Sequence, residues 1–99
     1  MKKYSVLVHG QNYLIPIDGE IENLGFYTTR YVEAEDSNLA EFNAVEIIRN
    51  DAELNETLKN SDDNPPMLLA EEITELKNFG EVDPPGSGYS FYRGSEKLH

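Results

Sequence analysis

The N-terminal part of the chain alternates apolar and polar positions, as half-buried β-strands do. Residues 4–8 form such an alternating run, and residues 13–17 form a second extended run. The polar stretch from His9 to Asn12 separates them and predicts a turn, which would leave His9 exposed. The chain therefore begins with two predicted strands.

A hairpin and a third strand follow. Pro16 cannot donate to a ladder, so residues 13–17 should form an edge or irregular strand. Asp18-Gly19 predicts a hairpin turn. Residues 26–34 then form the clearest strand of the chain. Alternate side chains share a face, which predicts Phe26, Thr28, Arg30 and Val32 on one side and Tyr27, Thr29, Tyr31 and Glu33 on the other.

The period of the apolar positions changes after residue 36 and predicts a helix over residues 39–49. Asn38 and Glu41 fit a capping box at its start. Its central apolar stripe consists of Ala40, Ala44, Ile47 and Ile48. Asp51 is predicted to cap a second, short helix that carries Leu54 and Leu58.

Residues 67–77 are compatible with a helix or a strand. Helix-forming residues are frequent there, but the preceding Pro65-Pro66 favours an extended entry, and a strand would complete the sheet. We predict a strand with a bulge near Glu71-Glu72. The bulge would let the apolar residues before it and those after it face the same side of the sheet. Residues 83–88 form a flexible segment rich in proline and glycine.

These elements predict one α+β domain over residues 1–93, in the order strands, helix, strand. A small antiparallel sheet of three to five strands has one main helix packed on one face. Residues 94–99 are set apart as a disordered tail or a cloning remnant.

Charge limits the classes of partner. Eighteen acidic but only four basic residues lie between Lys3 and Arg93, and the 99-residue chain has a net charge of −11. Such a surface repels nucleic acid and anionic membranes and attracts basic protein surfaces. The chain lacks cysteine, which excludes disulfides and thiol catalysis. With no visible signal peptide or membrane span, we expect a cytoplasmic protein.

Few residues suggest catalysis. No paired metal-ligand spacing involves His9, and the acidic clusters at residues 33–36 and 71–75 are typical of solvated faces. We therefore expect no cofactor, no metal and no enzymatic activity. If Glu72 points inward, Arg30 is its natural partner for a buried ion pair.

Aromatic residues mark a candidate interaction surface, because tyrosine is enriched in protein interfaces. Its members are Tyr27, Tyr31, Glu33, Tyr89, Phe91 and Tyr92. The second face of the sheet needs a cover, which either the chain's own segment 89–92 or the same segment from a second copy would supply. We favour a homodimer that uses this segment.

A resemblance to other proteins rests on three segments: residues 25–35 (GFYTTRYVEAE), residues 44–51 (AVEIIRND) and Pro65-Pro66-Met67. They resemble those of a group of small, uncharacterised bacterial proteins with no assigned function. The resemblance covers most of the chain and implies a bacterial cytoplasmic protein with a strand at Met67. It implies no activity.

Two hypotheses of function follow. The first is a non-catalytic interaction protein that binds a basic protein surface, as an inhibitor, an immunity-type partner or a nucleic-acid mimic. The alternative is a small-molecule-binding domain or minor enzyme, with a pocket lined by His9, Thr28, Arg30 and Tyr31.

Overall fold

The computed structural model describes residues 1–94, which form an antiparallel sheet with helices on one face. The strands and helices are β1 (Lys2–Ile17), β2 (Glu20–Ala34), α1 (Ser37–Arg49), α2 (Ala52–Asn55), β3 (Met67–Leu76) and β4 (Ser90–Arg93). The strand order is β3-β1-β2-β4. This confirms the predicted α+β class, with one main helix packed against a small antiparallel sheet.

The β1–β2 hairpin turns at the predicted dipeptide. Ile17 pairs with Glu20, and both Asp18 (φ 52°) and Gly19 (φ 84°) lie in the left-handed region. Two positive φ angles in a two-residue loop define the type I′ turn that suits the twist of paired strands. The turn prediction is therefore confirmed.

The predicted turn at residues 9–12 is wrong, because β1 runs through it as one strand. Gly10 pairs with Phe26 and Tyr13 with Leu24, so Gln11 and Asn12 together oppose a single residue of β2. Asn12 has φ 59°, and asparagine tolerates this conformation better than most residues. The extra residue is a β-bulge that returns Tyr13 to the buried face.

Pro16 lies where β1 has a free edge. The pairing of β1 with β3 ends at Gln11. Within residues 1–94, residues 13–17 therefore have a neighbouring strand on one side only, and on the other side Leu14 forms hydrogen bonds with the loop at Lys59 and Asn60. A missing backbone donor is tolerated there. This agrees with the edge position predicted for Pro16.

Helix α1 begins earlier than predicted. Asp36 is the N-cap, and its carboxylate accepts from the backbone of Leu39 at 2.9 Å. The capping box predicted at Asn38 is therefore wrong, because Asp36, another good N-cap residue, caps the helix two residues upstream. Asp51 caps α2 as predicted, accepting from the backbone of Glu53 and Leu54.

Residues 67–76 form strand β3, as predicted. Leu7 pairs with Glu72 but Val8 pairs with Ala70, so Glu71 is an extra residue. The bulge allows Ala70 and Ile73 both to pack against the core, although they lie three positions apart, an odd spacing that would otherwise put them on opposite faces. The expected bulge near Glu71-Glu72 is confirmed.

The core lies between the sheet and α1. Ala40, Ala44 and Ile48 are fully buried on the helix, and the alanines permit close approach to the strands. From the sheet, the largest fully buried side chains include Phe26 and Tyr13, whose rings meet edge to face at 4.8 Å. No helix among residues 1–94 is long and apolar enough to cross a membrane.

Candidate functional site

The sheet face opposite α1 contains four cross-strand rows of side chains. Residues directly opposite each other on paired strands share a face. The rows, read from β3 through β1 to β2, are Leu69–His9–Tyr27, Glu72–Leu7–Thr29, Thr74–Ser5–Tyr31 and Leu76–Lys3–Glu33. We call this surface the open face.

A cleft of about 570 Å³ lies on the open face along β2. Its floor includes Leu7, Tyr27, Thr29 and Tyr31, and residues 86–90 line it as well. We call it the tyrosine cleft. Its volume falls within the range of about 300–1,000 Å³ that is usual for ligand sites.

Backbone and side-chain hydrogen bonds hold the segment of residues 85–89 against β2. The amide of Tyr31 donates to the carbonyl of Pro85 at 3.0 Å. The hydroxyl of Thr28 donates to the carbonyl of Gly88 at 2.7 Å. Gly86 and Gly88 both have positive φ angles, which glycine adopts without steric cost. This segment, predicted to be flexible, therefore has a defined position beside the cleft.

Among residues 1–94, no charged side chain lines the tyrosine cleft, although the protein is strongly acidic. Its polar groups are the hydroxyls of tyrosine, threonine and serine and the backbone of residues 86–88. Carboxylates lie just beyond it. Glu72 is the neighbour of Leu7 in its row. Glu33 follows Tyr31 on the same face of β2 and lies opposite Lys3 of β1. Both glutamates are exposed.

His9 lies next to this cleft and is only 2% exposed. Its ring stacks on Tyr27 with centroids 4.3 Å apart. Nδ1 lies 2.7 Å from a carboxylate oxygen of Glu71, and Nε2 is hydrogen-bonded to the hydroxyl of Tyr92. The prediction that His9 is an exposed turn residue is wrong, because β1 continues through this position and places the ring among three other strands.

The His9 cluster connects all four strands. Glu71 comes from the bulge of β3, Tyr27 from β2 and Tyr92 from β4. These three partners are 18 or more positions away in sequence, so no local pattern indicates the cluster. Gln11, two positions along β1, also lies 3.4 Å from Nδ1 of His9. Gly25 makes room for the cluster: a Cβ atom there would collide with the ring of Tyr92.

Arg30 lies on the helix-covered face and is 3% exposed. Glu72 lies on the open face and is exposed, so the ion pair predicted between Arg30 and Glu72 does not form. Because of the bulge at Glu71, Glu72 pairs with Leu7 and its side chain lies on the open face. Instead, the guanidinium carbon of Arg30 lies 5.0 Å from the centre of the Tyr89 ring. Arg30 Nε and Nη1 have no hydrogen-bond partner among residues 1–94.

Tyr89 connects the segment before β4 to the helices. Its hydroxyl donates to the carboxylate of Asp51 at 2.6 Å. Burial, together with this hydrogen bond, raises the pKa of Tyr89 to about 12. The same hydrogen bond lowers the pKa of Asp51, with the capping amides contributing in the same direction.

The six residues of the predicted interaction surface are divided between the two faces. Tyr27, Tyr31 and Glu33 belong to the open face, and Tyr92 reaches His9 there. Tyr89 and Phe91 instead contact Phe26, with centroid distances of 4.9 and 5.7 Å. The aromatic segment extends the edge of the sheet beside β2, so it does not lie across the open face as a cover.

Of the predicted pocket residues, Thr28 and Tyr31 line the tyrosine cleft. His9 and Arg30 do not line it. Sequence reasoning missed the contribution of residues 86–90, which it treated as a linker followed by an aromatic run. The available signal was the pair Gly86 and Gly88, because glycine is common where the backbone needs a positive φ, as it does at both positions.

Within residues 1–94, no three histidine, aspartate or glutamate side chains are grouped as metal ligands. Comparison of the chain with protein-family models, curated proteins and solved structures finds no match.

Proposed function

We propose that this protein is a non-catalytic binding protein that recognises a basic protein surface through its open face. The observation that carries the proposal is the uncharged tyrosine cleft with Glu33 and Glu72 beside it, in a chain of net charge −11. Tyrosine gives a large rigid contact area, and the surrounding carboxylates supply electrostatic complementarity.

The distribution of charge supports a division of roles. The cleft itself offers aromatic rings and hydroxyls, which bind without the desolvation cost of a buried carboxylate. Cationic side chains of arginine and lysine interact favourably with the faces of tyrosine rings. The net negative charge attracts a basic partner from a distance and accelerates encounter. Contacts in the cleft would then determine the affinity, and the net negative charge would determine the association rate.

The test compares two double variants of equal charge. Glu33→Lys/Glu72→Lys changes the open face, whereas Glu20→Lys/Glu56→Lys changes exposed positions at the β1–β2 hairpin and after α2. Partners are captured from a lysate of the source organism at about 50 mM salt, identified, purified and measured by biolayer interferometry.

We expect the open-face variant to reduce the association rate by about tenfold or more. The control should have a much smaller effect, because its charges lie away from the cleft. Equal effects of the two variants would contradict a specific site on the open face. Failure to recover any basic partner at low salt would overturn the proposal as a whole.

A second candidate is a small-molecule-binding domain, favoured by the volume of the tyrosine cleft and its convergent hydroxyls. Thermal-shift screening against neutral metabolites tests it. A ligand that stabilises the wild type but not Tyr31→Ala would support this candidate, and a flat profile across the panel would count against it.

A further inference from the structure

Strand β4 is at one end of the strand order β3-β1-β2-β4. It contributes four residues, Ser90–Arg93, which pair with Leu24–Tyr27 of β2. Within residues 1–94, nothing pairs with its outer edge. An unpaired edge presents alternate backbone donors and acceptors to any extended chain that approaches it.

The two faces of the sheet beside β4 offer different surfaces. On the open face, Ser90 lines the tyrosine cleft. On the other face, an apolar groove of about 420 Å³ includes Ile17, Leu24 and Phe91 in its lining. The side chains of Phe91 and Ile17 are 48% and 39% exposed, although both are large and apolar. The edge is thus flanked by one cleft on each face.

We infer that the basic partner docks as an extended strand on the outer edge of β4, placing alternate side chains into the tyrosine cleft and the apolar groove. This inference rests on the proposed function and specifies how the partner binds. In strand addition, backbone hydrogen bonds supply affinity and pockets for alternate side chains supply specificity. A strand has side chains on both faces, which matches two clefts on opposite faces of one edge.

The chemistry of the two clefts defines the partner segment. Side chains that enter the groove should be apolar, because Ile17, Leu24 and Phe91 form its walls and Arg93 is already paired with Glu22 at 3.1 Å. Side chains that enter the tyrosine cleft should be cationic, since they meet tyrosine rings with carboxylates nearby. The expected segment alternates apolar and basic residues.

Charge favours a different protein over a second copy at this edge. Two copies would each bring a net charge of −11, and Asp51 and Glu53 lie at the neighbouring depression that shares Ile15 and Phe91 with the groove. The outer edge of β3 is a poorer site for strand addition. Its bulge at Glu71 interrupts the ladder in the middle of the strand.

The test uses defined peptides. A blocked peptide of four Lys-Val repeats serves as the probe, and four Glu-Val repeats serve as the charge control. Two further Lys-Val peptides carry N-methyl groups on either of the two alternate sets of amides. Binding is measured by fluorescence anisotropy at about 50 mM salt, and amide exchange of Ser90–Arg93 is measured by NMR.

Strand addition predicts that one methylated peptide loses about tenfold or more in affinity while the other binds as the parent does, since only one set of amides faces β4. Alternate amides of β4 should exchange more slowly in the complex. Phe91→Ser should weaken binding of the Lys-Val peptide. Phe42→Ser, which removes an exposed ring on α1 (59% exposed), should not.

Several outcomes would overturn the inference. Equal affinity of the two methylated peptides excludes strand addition, as does protection of β3 amides in place of β4 amides. Absence of Lys-Val binding at about 1 mM, with a basic protein partner still captured at low salt, overturns docking at β4 but leaves the proposed function intact. Failure of both the peptide and the capture overturns both.

Discussion

The hydroxyl of Tyr89 donates a hydrogen bond to the carboxylate of Asp51 at 2.6 Å and so joins the segment before β4 to the cap of α2. The same tyrosine ring covers the buried guanidinium of Arg30. One side chain therefore links the C-terminal strand, the central hairpin and the short helix. This link adds to the hydrogen bonds from Thr28 and Tyr31 that hold residues 85–88 beside the tyrosine cleft.

Replacement of Tyr89 by phenylalanine tests the link. We expect Tyr89→Phe to lower the free energy of unfolding by about 1–2 kcal/mol near neutral pH, because Asp51 loses a charge-assisted hydrogen bond. Urea unfolding measures the change. Tyr31→Phe is the matched control, since its hydroxyl bonds to no group within residues 1–94, and it should change stability by less than about 0.5 kcal/mol. Equal losses in both variants would contradict the assigned role.

The pH dependence of stability follows from the same pair. The folded-state pKa of Asp51 is lowered, so its contribution is present above the unfolded pKa and is lost as pH falls through the folded value. The pKa of Tyr89 is raised to about 12, so its contribution is present below about pH 10 and is lost as pH rises towards 12. In Tyr89→Phe, the decrease in stability at acid pH should be smaller than in the wild type. The decrease in stability at alkaline pH that is due to Tyr89 should be absent. Urea midpoints from pH 2 to 11 would show an unchanged profile if the pair were not coupled.

The His9 cluster predicts unequal effects of neighbouring substitutions. His9→Leu should cost about 2–4 kcal/mol, because Glu71 and Tyr92 lose a partner and the stack on Tyr27 is removed. Glu71→Gln should cost less than about 1 kcal/mol, since its side chain is 42% exposed. Glu72→Gln, at the adjacent exposed position, should be nearly neutral. Comparable losses for His9→Leu and Glu72→Gln in urea unfolding would contradict a structural role for the cluster.

Gly10 and Gly25 both lie beneath aromatic rings, but replacement by alanine should destabilise the protein more at Gly10 than at Gly25. A Cβ at Gly10 collides with Phe26, which is fully buried and cannot move, whereas a Cβ at Gly25 collides with the outer end of Tyr92 on an edge strand. We expect Gly10→Ala to cost about 3 kcal/mol or more and Gly25→Ala about 1–2 kcal/mol. In a Tyr92→Ala background, Gly25→Ala should cost little further. A full additional loss in that background would show that the ring is not the obstacle.

The homodimer predicted from the aromatic segment remains a prediction that light scattering can test. Because residues 90–93 pair with β2 of their own chain, a dimer would need the free edge of β4 or an exchange of this segment. The full chain should then have twice the mass of one copy, and truncation after Val82 should yield monomers. A monomeric full chain, or a truncated chain that stays folded and dimeric, would contradict the prediction.

The sequence by itself determined the elements whose signals are local. Asp18-Gly19 specified the hairpin, the alternation of residues 26–34 specified the two faces of β2, and the spacing of Ala40, Ala44 and Ile48 specified the buried side of α1. Even the bulge at Glu71 was foreseeable, because a shift of phase between two apolar sets requires an extra residue.

The tertiary structure alone decided the site. His9 contacts Glu71 and Tyr92 across separations of 62 and 83 residues, and residues 85–88 find their place through hydrogen bonds to Thr28 and Tyr31. Such contacts depend on which strands become neighbours, and that is set by packing of the whole sheet. The same reason explains the error at residues 9–12: a polar run resembles a turn locally, whereas pairing of β1 with two neighbouring strands keeps it extended and converts the surplus residue into a bulge.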